Sequence, residues 1–282
     1  MKKYLPYAGF ALVLILIVIV GLRSRPKSTT PPPVSEKTND AFVAIQADRE
    51  IVVHCGNSMR PVAERIARAY QDRHGIAVRF NFGGSAELLS AIELGNVGDL
   101  YICHDPYADR VDEKGLLRRA VAVGHLAPAI VVPPGNPQGI ESLADLARPG
   151  LQLGLPDARY STAGVMIEDA LRERDLLDAV RSNIRIETRG HNEIALALTQ
   201  GHIDVGMAWN FVAALYGDRL DIVSPGIEFP EIRVTVCLLE HARDVEAAEL
   251  FMALAESPWG RAVFEEMGYS RSVPTPTGDD RP

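Results

Sequence analysis

The sequence predicts an α/β protein of two lobes, each built on a mostly parallel, doubly wound sheet, preceded by one N-terminal transmembrane helix. Three observations carry this. Residues 51–103 alternate short apolar runs with helical periodicity in the order β-α-β-α-β. The same order returns after Pro149, over residues 151–208. Residues 5–22 are apolar and free of charge. Alternating strands and helices bury a parallel sheet between two helical layers.

Residues 51–55 form a first strand, ended by Gly56-Asn57-Ser58. Over 61–72 the apolar Val62, Ile66, Ala69 and Tyr70 fall on one helical face, with Glu64, Arg65 and Arg68 elsewhere. A strand at 76–82 ends in Gly83-Gly84-Ser85, and Leu88, Leu89 and Ile92 mark a helix stopped by Gly95. A third strand, 100–103, precedes Asp105. The second unit reads as strand 151–155, helix 163–174, strand 184–187, helix 193–200 and strand 205–208. Apolar strands at 127–132 and 233–239 carry the chain from one lobe to the other and back. Helices at 245–255 and 259–267 close the fold from outside. The expected division is therefore 48–127 with 233–269 as lobe one, 128–232 as lobe two, and 270–282 as a disordered tail.

Residues 1–25 read as a membrane anchor or signal. A run of about 18 apolar residues is long enough to span a bilayer as a helix. Lys2 and Lys3 precede it, and Arg23, Arg25 and Lys27 follow, so the flanking charges leave its orientation open. No small-x-small cleavage site is evident, so an uncleaved helix in the inner membrane is favoured over a removed signal peptide, which stays open. The lipoprotein alternative fails because the first cysteine is Cys55. Residues 26–47 form a Pro-rich linker around Pro31-Pro32-Pro33. At ~3 Å per residue it holds a folded domain, expected outside the cytoplasm, some tens of Å from the membrane.

The 282 residues carry a net charge of −8 and three cysteines. Residues 1–40 hold six Lys/Arg against two acids, net +4, which leaves −12 for the remainder. Such acidity excludes general nucleic-acid binding, and three cysteines exclude a dense disulfide scaffold.

The polar residues stand where chemistry is expected. In doubly wound sheets, ligands sit beyond the carboxyl ends of the strands. There this chain has Asn57-Ser58, Gly83-Gly84-Ser85, Ser161-Thr162-Ala163-Gly164 and His191-Asn192, each opening a helix. One such residue alone is a helix cap. Two per lobe, facing across a cleft, make a neutral cage in which backbone N–H groups and hydroxyls hold an anion. Gly83, Gly84 and Gly164 are expected to let a ligand approach the backbone closely.

These residues also carry a family resemblance. VVHCGNSMRPVAERIARAYQDRHGIAVRFNFGGSAELLSAIELGNVGDLYICHD, LPDARYSTAGVMIEDAL, HNEIALALTQGHIDVGMAW and GRAVFEEMGY, over about residues 48–269, resemble the periplasmic molybdate-binding proteins of ABC transporters. The resemblance implies a two-lobed type II periplasmic-binding-protein fold that closes on its ligand. It implies no enzymatic activity and no cofactor. Its implied partners are a small oxyanion, molybdate or tungstate foremost, and an ABC transporter permease, with the protein a monomer. A tethered sensor or accessory module for a different small ligand is the alternative. Carried over residue by residue, the implied oxyanion-binding set is Ser58 and Ser85 as hydrogen-bond donors, the backbone of Ala163 with Thr162 beside it, Asn192 through a backbone group, and Trp209. Trp209 departs from the tyrosine often found there. Its indole donates one N–H and accepts nothing. It donates to the ligand, or Asn210 replaces it, or the ligand differs, or the ring only packs between the lobes. Selectivity in such a cage comes from size, since molybdate and tungstate are larger than sulfate. Arg60 and Arg159 lie near the proposed turns and offset the acidic total.

His54-Cys55 and Cys103-His104 suggest two further readings, a zinc or copper set and a Cys55–Cys103 disulfide. Adjacent strand residues point to opposite faces, which favours ordinary buried thiols instead, Cys237 included. Hydrolytic readings lack their motifs. Gly84-Ser85 has Glu87 where a nucleophile elbow needs glycine. Asp99 and Asp105 flank a strand as a hydrolase pair does, but Asp99 is also a natural strand-entry residue. No metal ligands or catalytic residues are assigned.

Overall fold

The computed structural model describes residues 49–270, except 96 and 231. The expected anchor (1–25), the linker (26–47) and the tail from 271 lie outside the described residues. No helix among those described is long and apolar enough to cross a membrane.

The chain folds into two five-stranded sheets. The first has the order β2-β1-β3-β10-β4, with β1 (Glu50–Gly56), β2 (Ala77–Gly83), β3 (Leu100–His104), β4 (Leu117–Leu126) and β10 (Ile232–Leu239). The second has the order β7-β6-β8-β5-β9, with β5 (Pro128–Val132), β6 (Leu153–Pro156), β7 (Ile184–Thr188), β8 (Val205–Trp209) and β9 (Asp221–Val223). β1 pairs in parallel with β2 and β3, and β6 with β7 and β8. β10 runs antiparallel to β3 and β4, and β5 runs antiparallel to β8 and β9. Both sheets are thus mixed, which corrects the mostly parallel expectation. The two strands expected only to carry the chain between lobes are inserted into the sheets, next to the parallel trios.

Helix α1 (Arg60–His74) shows why the elements form where they do. Pro61 sits in its first turn, where its missing N–H costs nothing. Val62, Ala63, Ile66, Ala67 and Tyr70 bury one face. Gly75, at φ 67°, ends the helix in a left-handed conformation that a side chain would strain. Burying each large apolar side chain contributes ~1.5–3 kcal/mol. Helix α2 (Ser85–Gly95) buries Leu88, Leu89 and Ile92.

Several elements were not legible in the sequence. These are α3 (Tyr107–Glu113), β4, α5 (Leu177–Arg181), α7 (Phe211–Tyr216) and β9. β4 is an edge strand whose Arg118, Arg119 and Ala120 are exposed, so it lacks the apolar run of an interior strand. The others are of seven residues or fewer, too short for a period to register. Helix α4 (Thr162–Arg172) and helix α6 (Asn192–Thr199) begin at the two turns expected of lobe two. The last helices, α8 (Val245–Glu256) and α9 (Pro258–Glu266), pack on α1 and β4, against the first sheet.

Asp99 is fully buried and accepts from the backbone N–H groups of Val52 (2.7 Å) and Arg243 (2.7 Å). It pins β3's entry to the first strand and to the approach of α8. Asp105 forms a two-pronged ion pair with Arg233 at 3.0 Å. Both carboxylates are engaged in holding the fold. Cys55, Cys103 and Cys237 are free thiols with no exposure. Cys55 and Cys103 belong to different apolar clusters, and Cys55 stands opposite Ile102, one residue out of register with Cys103. Strand alternation therefore separates the proposed disulfide partners. No group of three or more His, Cys, Asp or Glu able to hold a metal exists among the described residues.

Candidate functional site

A cleft of about 890 Å³ opens beyond the carboxyl ends of β1, β2 and β3 on one side and β6, β7 and β8 on the other. From lobe one it is lined by Ser58, Arg60, Gly83, Gly84, Ser85 and His104; from lobe two by Arg159, Tyr160, Thr162, Arg189, His191, Asn192 and Trp209. Five of the six expected ligand residues therefore share one cavity. Ala163 is fully buried in the first turn of α4 and is not part of the lining.

The two serine turns are held from behind. The Ser58 carbonyl accepts from the Tyr269 hydroxyl, and the Ser85 carbonyl accepts from the Tyr101 hydroxyl at 2.8 Å. Their own hydroxyls have no protein partner among the described residues. Gly56 allows the turns to converge, because a Cβ there would lie 3.0 Å from Ser85 Oγ and 2.5 Å from Met59 Cε. Gly83 and Gly84 line the cleft as expected. Gly164 serves a different purpose. A Cβ there would meet the Pro156 carbonyl oxygen at 2.6 Å and Ala158 N at 2.7 Å, so glycine lets α4 press against the end of β6. Ser161 caps that helix by accepting from Gly164 N at 3.4 Å. His191, which opens α6, makes no side-chain cap bond.

Trp209 is 1% exposed and lies between two histidines, with ring centroids 5.6 Å from His191 and 6.0 Å from His104. No described residue accepts its indole N–H, and that atom is not sealed from the cleft. Asn210 does not replace it. Its Oδ1 accepts from Ala127 N at 3.2 Å and its Nδ2 donates to the Ser270 carbonyl at 3.1 Å, so it braces the crossing between lobes.

By sequence, His104 is a candidate metal ligand and His191 a candidate helix cap. Both are more than nine-tenths buried in the cleft wall. Burial lowers both pKa values, His191 to about 3. Arg189 and Tyr160 were missed. Arg189 stacks 3.8 Å over the Tyr160 ring, and Arg60 stacks 3.9 Å over Phe82. Neither has a carboxylate partner among the described residues. Arg159 differs, being clamped to Asp157 at 2.6 and 2.9 Å, which holds that carboxyl below its usual range. Two acids also border the cavity, Glu87 and Glu193. Glu87 Oε2 accepts from Gly84 N at 3.4 Å.

A two-lobed α/β frame with a polar cleft and a set of uncommitted neutral donors is the architecture of a binding protein. Residues 51–270 match the family of bacterial extracellular solute-binding proteins, and the chain belongs to it. Among its relatives, the molybdate-binding protein ModA of Mycobacterium tuberculosis is 26% identical over 241 residues, covering 80% of this chain and 86% of that one. The substrate-binding domain of a putative molybdenum ABC transporter from Clostridium difficile superposes with a TM-score of 0.66 at 20% identity, covering 80% of this chain and all of that one. The sulfate-binding protein SubI of M. tuberculosis superposes with a TM-score of 0.63 at 18% identity, covering 80% and 88%.

Proposed function

We propose that this protein captures a tetrahedral oxyanion, molybdate or tungstate foremost, between its lobes in the periplasm and delivers it to an ABC transporter permease. The observation that carries this reading is the convergence of Ser58 and Ser85 with Thr162, Asn192 and Trp209 on one cleft. Hydroxyl and indole N–H groups without protein acceptors suit an ion that only accepts hydrogen bonds. Lobe closure excludes water and strengthens each of these bonds. The ModA relative supports molybdate. The SubI likeness is one of fold and keeps sulfate as the competing ligand.

The test is a thermal-shift and calorimetric panel of molybdate, tungstate, sulfate and phosphate. A specific ligand at 100 times its Kd stabilises the folded state by ~2.7 kcal/mol. Ser58→Ala and Ser85→Ala are each expected to weaken binding about tenfold to a hundredfold, the range for one hydrogen bond to a charged group. No shift with any oxyanion at millimolar concentration overturns the reading.

A further inference from the structure

His104 Nδ1 lies 2.8 Å from the backbone carbonyl of Asp105. A carbonyl only accepts, so Nδ1 carries the hydrogen of the neutral ring and Nε2 holds a lone pair. Nε2 has no partner among the described residues. It is also not sealed, unlike the unpartnered Nδ1 atoms of His54 and His191. His104 is 8% exposed, lines the cleft, and its ring stands beside the indole whose N–H is also uncommitted. The cleft therefore presents an acceptor next to a donor. A fully ionised oxyanion has nothing to offer that acceptor.

We propose that His104 is a ligand-contact residue that takes up one proton on Nε2 when a fully ionised oxyanion is captured. This rests on the oxyanion reading above. The balance is simple: neutral His104, one solvent proton and the dianion give an imidazolium–dianion pair, and no bond other than the new N–H is formed or broken. The proton turns a repelling lone pair into a charge-assisted donor, the stronger kind of hydrogen bond.

The surrounding charges set the balance. On its own strand's exit, the Asp105 carboxylate favours the imidazolium, although Arg233 of β10 engages it. From α3, Tyr107 meets the ring edge-on as a neutral group, and Arg110 stacks on Tyr107 and opposes a charge. From lobe two come Trp209, which is neutral, and His191. His191 Nε2 lies 3.4 Å from Ser161 Oγ, and its Nδ1 is sealed, so it stays uncharged and leaves room for one cation only. In the free protein, desolvation keeps His104 neutral; a dianion against Nε2 reverses that preference.

The test is calorimetry with sodium molybdate between pH 6 and 8, a range in which the ion itself stays fully ionised, in two buffers of different ionisation enthalpy. Uptake of about one proton is expected, with affinity falling about tenfold per pH unit of increase. Inorganic phosphate, which brings its own proton, is expected to bind with less uptake. His104→Gln is expected to bind molybdate with no uptake and a flat pH profile, whereas His191→Gln retains the slope. Binding by the wild type without proton uptake overturns the proposal and leaves the oxyanion reading standing. A slope that survives His104→Gln does the same. No binding at any pH overturns both.

Discussion

The Tyr269 hydroxyl donates to the backbone carbonyl of Ser58, 211 residues earlier in the chain, while the Tyr269 ring stacks on Phe211 at 5.0 Å and 6°. One side chain thus links the first serine turn to helix α7 in the other lobe. Phe211 itself borders the cleft. Tyr269→Phe keeps the stack and removes the hydroxyl. We expect a loss of about 1–3 kcal/mol in urea unfolding, because the Ser58 carbonyl loses a buried partner. Oxyanion affinity should fall as well, since the turn is no longer held.

Glu87 places a carboxylate at the edge of the cleft, where it occupies Gly84 N–H. An anion entering there meets like charge and a competitor for that donor. Glu87→Gln should therefore tighten oxyanion binding several-fold in calorimetry, with unfolding midpoints nearly unchanged for this exposed residue.

Arg60 and Arg189 flank the cleft from opposite lobes without carboxylate partners. Their expected contribution is to capture rate, because charges at a rim steer encounter more than they hold a bound ion. The double variant Arg60→Gln/Arg189→Gln should slow association in stopped-flow measurements by about tenfold at low salt. The gap should narrow as salt rises and screening takes over. An equal loss at all salt concentrations would assign the arginines to the bound complex instead.

Burial holds His54, His104 and His191 below their ordinary pKa. In the unfolded chain these rings titrate near 6.5. Between that value and their folded values, about 3 for His191, the unfolded state binds more protons. The contribution of these three rings to stability is thus complete above about pH 7 and declines as pH falls through about 6.5. Each ring contributes a slope of up to about 1.4 kcal/mol per pH unit. Below pH 4 the carboxylates held low by arginines, Asp157 and Asp244, lose their partners and add to the decline. Thermal midpoints of the ligand-free protein should follow this course from about pH 7.5 to about pH 3. Saturating molybdate should shrink the loss between pH 7 and 6, where a charged His104 is part of the complex.

Much of this architecture was legible because it depends on local pattern. The helical face of Val62, Ile66 and Tyr70, and the turns at Ser58, Ser85 and Thr162, follow from residues near in sequence. The insertion of β10 between β3 and β4 does not, because partner choice is a matter of distant registers such as Thr235 with Cys103. The cleft shows the same divide. Ser58 and Ser85 were found from their turns. Arg189 and Tyr160 were missed because 29 positions separate them and only the β6–β7 pairing brings them together. Gly164 had the right importance for the wrong reason: glycine in a helix's first turn reads as ligand access, whereas the neighbouring Pro156 carbonyl is what requires it.

The position of β10 also orders the making of the protein. Lobe two's sheet uses strands drawn from one continuous stretch, β5 to β9, so every pairing in it is available once Val223 has emerged. Lobe one begins earlier and finishes later. Until residues 232–239 arrive, β3 lacks its second neighbour and β4 has none, leaving open edges that invite pairing with other chains. The half of the cleft bearing Ser58 and Ser85 thus stays provisional throughout synthesis, and the last strand to enter this sheet completes the half that was begun first.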